Sequence, residues 1–302
     1  MKIFVIYDLV DEPAGGGNQF IKMLRNEFKA QGFLAKTPKE ADVFLFNSHH
    51  CLKTVHSYKK SFPERKFVHR VDGPIRLYNN LGDPRDQQVY FANETFADAT
   101  VYQSEWSKNQ NLKMGLELKK FYTIIQNCSD DKIFFPTQKS EKRDKIRLIS
   151  SSWSTNPKKG FDFYRSLDEI LNFNDYEYVF AGSPNIKFKN IKNLGALNSK
   201  ELANELRKSD IFITASENDP CSNALIEASS CGLTCIALNS GGHPEIIKNS
   251  DLLFENKSDF LKIIKETKNN LDSLKITLDK PKQVVDKYVD FFNKTLNGKY
   301  NR

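Results

Sequence analysis

The sequence has few cysteines and no hydrophobic run long enough to cross a membrane as a helix. Its five cysteines are scattered and odd in number, which favours reduced thiols in the cytoplasm over a disulfide framework. Cys231 and Cys235 have no second pair to accompany them, so their spacing does not indicate a zinc site. The first residues, MKIFVIYDLVDEP, contain only a short apolar run before Asp8, which predicts a strand and not a secretion signal.

The composition predicts a folded, basic protein. Hydrophobic residues make up 39% and charged residues 27%, which argues against disorder, and 302 residues suffice for two domains of ordinary size. The net charge of +7 fits either a lysine-rich surface without a partner or attraction to sugar nucleotides, lipid headgroups or nucleic acid. Because the sequence lacks a dense basic tract with interleaved aromatic residues, we do not expect nucleic acid as the partner.

Short β-rich runs alternate with helical patterns along the chain, which predicts an α/β fold of parallel sheets. The polar stretch PTQKSEKRDK, residues 136–145, lacks apolar periodicity and is predicted to link two domains; a long surface loop is the alternative. The predicted strands are Ile3–Tyr7, Val43–Asn47, Lys66–His69, Ala99–Gln103, Tyr122–Gln126, Ile146–Ser150, Glu177–Ala181, Asp210–Ala215 and Leu233–Leu238. Examples of the predicted helices are Asn18–Gln31, Phe161–Asn172 and Lys200–Lys208, and the chain after Ser258 is strongly helical.

Three loops that follow predicted strands contain candidate site residues, because ligands of such folds bind at the carboxyl ends of the strands. The first loop, GGGNQF, begins at Gly15 and lets a ligand approach the backbone closely. It lacks the spacing of a dinucleotide site, and a flexible turn is the alternative. The second loop, SSWSTNPKKGFDFY, places Lys158 and Lys159 before a helix, where a lysine could neutralise a phosphate. The alternative is a solvated lysine pair.

In the third loop, ENDPCSN is predicted to lead into the helix NALIEASSC, with Pro220 near the first turn, Asp219 or Ser222 as the cap and Gly232 at the end. The N–H groups of that helix start would bind an anion. Glu227 lies about one turn into the helix, and its carboxylate can accept two hydroxyl hydrogen bonds, as a ribose offers. With the turn at Gly241–Gly242, these pieces form one pocket for a diphosphate, a ribose and a sugar. Capping acids and an ordinary turn are the alternative.

These residues, DPCSNALIEASSCG…NSGGHPEII, resemble the signature of family 4 glycosyltransferases, which have the GT-B fold. The stretches IIQNCSDDKIFFP, KKGFDFY and NLGALNSKELANELRKSDIFITAS resemble flanking parts of that family. The resemblance covers most of residues 120–250 and the N-terminal half only loosely. It implies two Rossmann-like, doubly wound domains that face each other across a cleft. They are an acceptor domain at 1–140 and a donor domain at 141–278, with a helix at 279–302 that crosses back to the first.

The resemblance also implies roles for individual residues. Glu227 would hold the ribose, and Asp219, where the family usually has Glu, would face the donor sugar. Ser154 stands about where the family usually has Arg, so either phosphate neutralisation would be weaker or Lys158 or Arg70 would substitute for that charge. Together, the loops and the resemblance predict donor-binding residues Gly16, Gly17, Arg70, Lys159, Gly195, Leu197, Pro220, Ser222, Asn223, Ala224, Leu225, Glu227, Gly241 and Gly242.

The stretch KFVHRVDGPIRLY is the N-terminal counterpart of these loops. Because it includes a strand end, His69, Arg70 and Asp72 are predicted to point into the cleft, with His69 and Asp72 joining Asp219 as catalytic residues. A turn at Asp72 with Arg70 paired to it is the alternative. His49 and His50, after FLFNS, also follow a strand, and acceptor contact and plain surface exposure are equally open for them.

These expectations together describe a retaining glycosyltransferase. It would move a hexose from a UDP- or GDP-sugar to a hydroxyl group of a glycan or lipid-linked glycan. No Asp-x-Asp pair follows a predicted strand, so neither a metal nor another cofactor is expected. The predicted location is the cytoplasm or, peripherally, the inner face of the membrane. The alternatives are a nucleotide-sugar hydrolase, phosphorylase or epimerase, and a non-catalytic sugar-nucleotide-binding module.

Overall fold

The computed structural model describes residues 1–10, 16–80, 82–138, 143–268 and 270–298. Gly15 of the glycine-rich loop and residues 139–142 of the predicted linker lie outside the described residues. The chain forms two compact units. The first unit comprises Met1–Val10, Asn18–Asn127 and Lys280–Arg302, and the second comprises Asp11–Gly17 and Cys128–Asp279.

The described part of the first unit contains a five-stranded parallel sheet whose strands follow one another in chain order. Helices connect the successive strands, as parallel pairing requires. The strands are β1 (Ile3–Ile6), β2 (Val43–Asn47), β3 (Lys66–Val71), β4 (Ala99–Tyr102) and β5 (Tyr122–Ile124). The helices are α1 (Gly16–Ala30), α2 (Leu52–Ser61), α3 (Ile75–Tyr78), α4 (Arg85–Phe96) and α5 (Glu105–Lys113), with a 3₁₀ turn at Pro38–Glu40.

Strand β2 shows why this sequence forms a buried parallel strand. All five of its residues, VFLFN, are buried, as expected for a strand covered on both faces. The ring of Phe44 stacks on that of Phe67 in β3, with 4.7 Å between the centroids. The register places Phe46 opposite His69 and Asn47 opposite Arg70.

The described part of the second unit contains a six-stranded parallel sheet in the order β11-β10-β9-β6-β7-β8. Its strands are β6 (Ile146–Ser152), β7 (Tyr176–Gly182), β8 (Lys192–Gly195), β9 (Ile211–Thr214), β10 (Thr234–Leu238) and β11 (Leu253–Phe254). Its helices are α6 (Phe161–Ile170), α7 (Ser199–Arg207), α8 (Asn223–Ser230), α9 (His243–Ile247) and α10 (Lys257–Thr267). Its 3₁₀ turns are Pro157–Lys159, Ser250–Leu252 and Leu271–Leu274.

The last helix, α11 (Pro281–Leu296), packs on α1 within the first unit. The ring of Phe28 contacts those of Tyr288 and Phe292, each with 6.3 Å between centroids. Tyr288 and Phe292 are fully buried, so the helix contributes to the core of that unit.

The prediction of an α/β fold with parallel sheets is confirmed. Val43–Asn47 matches β2 at both ends, and the other predicted strands differ from the observed ones by a few residues. Strand β8, Lys192–Gly195, is not among the predicted strands, because its side chains are exposed or half-buried and the segment shows no apolar run. Among the described residues, no helix is long and apolar enough to cross a membrane.

Candidate active site

The turn that follows β6 is held against the end of β9. It forms a single 3₁₀ turn at Pro157–Lys159, in which the side-chain oxygen of Asn156 accepts a 2.9 Å hydrogen bond from the Lys158 N–H. Gly160 follows with φ +82°, and a Cβ atom there would come within 2.6 Å of the Ala215 Cβ. Glycine is therefore required both for the backbone conformation and for the close approach to β9.

Two neighbouring lysines in this turn contact different acids. The ammonium of Lys158 lies 2.5 Å from Glu217, and both side chains are more than 40% exposed. The ammonium of Lys159 lies 3.0 Å from Asp219, whose side chain is only 15% exposed. Lys159 is thus the lysine directed towards the interior of the site, as expected for a phosphate ligand.

Asp219 is fixed by its backbone as well as by Lys159. Its carbonyl oxygen accepts a 2.8 Å hydrogen bond from the Gly242 N–H, and Gly241, at φ +62°, packs directly on the Asp219 backbone. Burial by itself raises the pKa of Asp219, but the charge and the hydrogen bond of Lys159 outweigh this effect, so the pKa lies below its ordinary value. Asp219 is therefore a carboxylate at neutral pH.

His243 is a site residue that our sequence analysis did not select. Its ring is fully buried, with Nδ1 2.8 Å from the Leu238 carbonyl oxygen and Nε2 3.2 Å from the Ser216 hydroxyl. Since only a donor satisfies a carbonyl, Nδ1 carries the proton and Nε2 accepts from Ser216. Burial lowers the pKa of His243. The sequence feature that could have identified His243 is its position in GGHPEII, directly after the glycine turn.

Helix α8 begins where the sequence predicts it. The hydroxyl of Ser222 caps the helix by accepting from the Leu225 N–H at 3.4 Å, and Pro220 stands two residues before the cap. Asn223 and Ala224 occupy the first two helical positions, where backbone N–H groups have no partner inside the helix. These positions make the start of α8 suited to an anion.

Glu227 differs from Asp219 in having no partner. Its side chain is partly exposed and makes no hydrogen bond or ion pair with the residues that the structure describes. Loss of water around the carboxyl group raises its pKa to about 8. A carboxyl group without a protein partner, one turn from a helix start, is available to ligand hydroxyl groups.

Gly195, Leu197, Ser154, Gly16 and Gly17 also belong to the second unit. Gly195 ends β8 at φ +73°, and Leu197 packs against the core of the second unit. The hydroxyl of Ser154 accepts from the Asn156 N–H at 3.1 Å, so Ser154 holds the lysine turn. Gly16 and Gly17 are the first residues of α1 and group with the second unit, where Gly16 lies against the Asn223 side chain.

The structure places His69 in the core of the first unit and not at a ligand site. It is fully buried; its Nε2 donates to the Ser48 carbonyl oxygen at 2.9 Å, and its Nδ1 accepts from Asn93 at 3.2 Å. Burial lowers its pKa to about 3, so the ring stays neutral. Both nitrogens are occupied, which leaves no group for the sugar contact that we expected.

Arg70 and Asp72 form a fixed pair in the same unit. The guanidinium, 1% exposed, donates to Asp72 at 2.8 Å, to Asn47 at 2.5 Å and to Asn127 at 2.6 Å. It also lies 4.6 Å from the centre of the Phe20 ring. Its polar contacts in this structure are therefore with the protein, whereas the Asp72 side chain is 24% exposed.

Groups of three or more His, Cys, Asp or Glu side chains with the arrangement of a metal site do not occur among the described residues. The charges found in the second unit's candidate site are those of Lys159 and Asp219, which are paired, with the Lys158–Glu217 pair beside them.

The chain is similar to known glycosyltransferases. Residues 131–273 match the family model described as "Glycosyl transferases group 1". The chain is also similar to the GPI3 subunit of phosphatidylinositol N-acetylglucosaminyltransferase from Saccharomyces cerevisiae. The two are 23% identical over 227 residues, which is 68% of this chain and 50% of the relative. This chain therefore spans about half the length of the curated relatives that it matches.

Solved structures show the same fold over nearly the whole chain. Sucrose-phosphate synthase from Thermosynechococcus elongatus superposes with a TM-score of 0.70 at 12% identity, over 100% of this chain and 95% of that one. HepE from Anabaena, solved in complex with UDP and glucose, superposes with a TM-score of 0.67 at 12% identity, over 99% of both chains. The fold of this chain is therefore GT-B, and its residues 131–273 match the glycosyl transferases group 1 family.

Proposed function

We propose that this chain is a retaining glycosyltransferase of family 4 that moves a hexose from a UDP- or GDP-sugar to a hydroxyl group of a glycan or lipid-linked glycan. The observation that carries the proposal is the arrangement of Lys159, Asp219 and Glu227 at the carboxyl edge of the second sheet. Two similarities support the choice of substrates. HepE was solved with UDP and glucose, and the name of the yeast relative contains a lipid acceptor.

The donor diphosphate would bind to Lys159 and the first N–H groups of α8. Both are positive, and neither requires a metal to neutralise the leaving phosphate. In this structure Lys159 is paired with Asp219 at 3.0 Å. A diphosphate with two charges would draw the ammonium towards itself, and the Asp219 carboxylate would then accept a hydroxyl group of the transferred sugar.

The ribose would bind at Glu227, the one carboxyl group of this set that has no partner among the described residues. Two hydroxyl groups donating to its oxygens replace the water that burial removed, which favours the ionised form. On the acceptor side, Asp72 would receive the hydroxyl group that attacks the sugar. We assign no step to His69, because both of its ring nitrogens are bound within the core.

Calorimetric titration with UDP and GDP tests the donor site. We expect one nucleotide to bind, and we expect Lys159→Ala and Glu227→Ala each to weaken that binding about tenfold or more, because each removes a charged or charge-assisted contact. Lys158→Ala is the matched control, since that exposed lysine is paired with Glu217. Failure of the wild-type chain to bind either nucleotide would reject the proposal.

The stereochemistry is tested on the same preparation after treatment with a chelator. An α-linked donor is expected to give an α-linked product, followed by NMR, without added magnesium or manganese. An inverted product rejects the retaining mechanism, and activity that returns only with metal rejects the assignment of the diphosphate charge to Lys159 and α8. Donor consumption that is unaffected by acceptors would instead identify a hydrolase.

A further inference from the structure

A second group of polar side chains lies at the carboxyl ends of β1, β2 and β3 in the first unit. We call it the histidine-turn cluster and define it as Tyr7, His49, His50 and Asp72. The His50 ring lies 4.9 Å from the Tyr7 ring and 4.3 Å from the His49 ring, measured between centroids. Asp72 follows β3, the strand that pairs with β2, so it lies at the same edge of the sheet as the two histidines. Carboxyl ends of parallel strands are where ligands bind in such sheets.

The turn that carries the two histidines is strained. Ser48 and Cys51, on either side of the histidine pair, have φ values of 50° and 55°, although neither is a glycine. Such left-handed residues are energetically unfavourable and persist where the surrounding structure imposes them, often at functional sites. The Cys51 thiol donates to Asp8 at 3.4 Å, and the Ser48 hydroxyl lies 3.3 Å from His49 Nδ1. The protein therefore stabilises a strained conformation that presents both imidazole rings.

Several polar atoms of the cluster have no partner among the described residues. These are the Tyr7 hydroxyl, both ring nitrogens of His50 and Oδ2 of Asp72. The other carboxylate oxygen of Asp72, Oδ1, accepts from Arg70 and Gln103. The backbone carbonyl of Asp72 accepts from the Asn111 side chain at 2.8 Å. Asp72 is thus held in one orientation with one oxygen left for a ligand.

The cluster provides no unpaired positive charge. Of the charged groups that act on it, Arg70 is paired with Asp72 at 2.8 Å, and Arg85 is paired with Asp83 at 2.6 Å. Asp8 is left as a surplus negative charge. Burial also lowers the pKa values of His49 and His50 and raises that of Tyr7, so all three rings are neutral at pH 7.

We infer that the histidine-turn cluster binds the acceptor through a neutral, polyhydroxylated ring and selects against an acceptor that carries phosphate or carboxylate at the reacting end. The inference rests on the proposed function, because it names the acceptor class for that reaction. Hydroxyl groups both donate and accept, which suits a phenol, two neutral imidazole nitrogens and a carboxylate oxygen at once. A phosphate would meet Asp72 and Asp8 without a free cation to compensate them.

Saturation-transfer NMR on the full chain with UDP present tests the inference with four probes. Methyl α-glucoside and myo-inositol are the neutral ones, and glucose 6-phosphate and glucuronate are the charged ones. We expect the neutral probes to bind more tightly. We also expect Tyr7→Phe and His50→Gln each to weaken that binding about fivefold, the size of one lost hydrogen bond. His56→Gln is the matched control, because His56 is exposed on α2 and its ring contacts Phe96.

Each outcome separates this inference from the proposed function. Tighter binding of glucose 6-phosphate, or neutral binding that Tyr7→Phe and His50→Gln leave unchanged, overturns the inference. If UDP binds but no neutral probe does, the acceptor assignment fails while the donor site stands. If UDP does not bind and the neutral probes do, the proposed function fails and the polyol site remains. Tyr7→Phe removes a single oxygen atom, so thermal unfolding of this variant verifies that the fold is intact.

Discussion

Asp219 and Glu227, two carboxyl groups separated by seven residues, differ in charge because their surroundings differ. Asp219 is paired with Lys159, and its pKa is lowered despite burial. Glu227 has lost water without gaining a partner, and its pKa is raised to about 8. The sequence shows two acids at a typical spacing, but it does not show which one has a cation beside it. That information depends on a lysine sixty residues away in the chain.

The raised pKa of Glu227 predicts a pH-dependent stability. Between its ordinary pKa of 4.5 and its folded value of about 8, the folded chain holds a proton that the unfolded chain has released. The contribution of this group to the free energy of unfolding is therefore fully present below pH 4.5 and is lost as the pH rises through 8. Gln does not ionise, so the Glu227→Gln variant does not lose this contribution. Its free energy of unfolding relative to wild type is therefore expected to rise between pH 5.5 and pH 8.5.

Urea unfolding of both proteins at the two pH values measures the difference. All other titrating groups are common to the two proteins, so their contributions to the difference in free energy of unfolding cancel to first order. A difference in free energy that is the same at pH 5.5 and pH 8.5 would show that Glu227 is already ionised in the folded protein.

At the scale of elements, strand β3 explains why Arg70 is paired with Asp72 while His69 lies in the core. Side chains alternate along a strand, so His69 and Arg70 lie on opposite faces, whereas Arg70 and Asp72 share one. The observed ion pair between Arg70 and Asp72 agrees with this geometry, and His69 stacks on Phe46 at 4.1 Å in the core. The motif KFVHRVDG locates the strand end, but it does not show that both faces are buried, because the partners of His69 and Arg70 include residues of β2, α4 and the segment after β5.

The helix start at α8 was predictable because its signals are local. A capping serine, a preceding proline and a terminal glycine at position 232 all lie within the segment, and the structure shows each in that role. Strand β8 lacked such signals, since it pairs with β7 at a sheet edge through its backbone. The strained turn at Ser48–Cys51 was equally hidden, because neither residue favours a left-handed conformation.

The contact between Gly160 and Ala215 predicts a specific effect of adding one methyl group. Gly160→Ala places a Cβ atom 2.6 Å from that of Ala215, at a φ of +82°. The lysine turn must then move away from β9, which separates Lys159 from Asp219. We expect a loss of stability and weaker nucleotide binding together. The matched control is Gly32→Ala in the first unit, where φ is +75° but no atom lies within 4 Å.

Chemical unfolding and nucleotide titration distinguish the two glycine variants. Gly32→Ala carries only the conformational cost, about 1–2 kcal/mol, and leaves the donor site unchanged. Gly160→Ala has the same conformational cost and, in addition, the steric clash with Ala215. Equal losses of stability, with nucleotide binding retained in both variants, would mean that the turn adjusts without moving Lys159.

At the scale of the whole chain, the positive charge has a distinct location in the first unit. Helix α2 contains Lys53, Lys59 and Lys60 and no acidic residue. It contacts α4 through the His56 and Phe96 rings, 5.6 Å apart. The net charge of +7 does not show which surface a partner would bind. The position of the lysines on the surface depends on which helices pack together.

The first unit also has exposed apolar side chains. Phe91 on α4 is 60% exposed, and Leu118, in the segment after α5, is 47% exposed. Lys119 joins the two elements by donating to the Glu94 carbonyl oxygen at 2.9 Å. Because Phe91 and Glu94 are three residues apart on one helix, they lie on neighbouring positions of the same face. Lysines around exposed apolar residues are typical of a surface that binds anionic lipid.

We therefore expect the chain to sediment with phosphatidylserine vesicles at low salt and to be released as salt rises. Each lysine near an anionic surface contributes about 1 kcal/mol, and this attraction is screened over a Debye length of about 8 Å at physiological salt. Replacing both Phe91 and Leu118 with Ser should reduce the bound fraction at every salt concentration. Leu261→Ser is the control, since Leu261 is 36% exposed on α10 of the second unit. Equal binding to phosphatidylcholine vesicles would show that charge has no part in it. Loss of binding in Leu261→Ser but not in the double variant would place the lipid contact on the second unit.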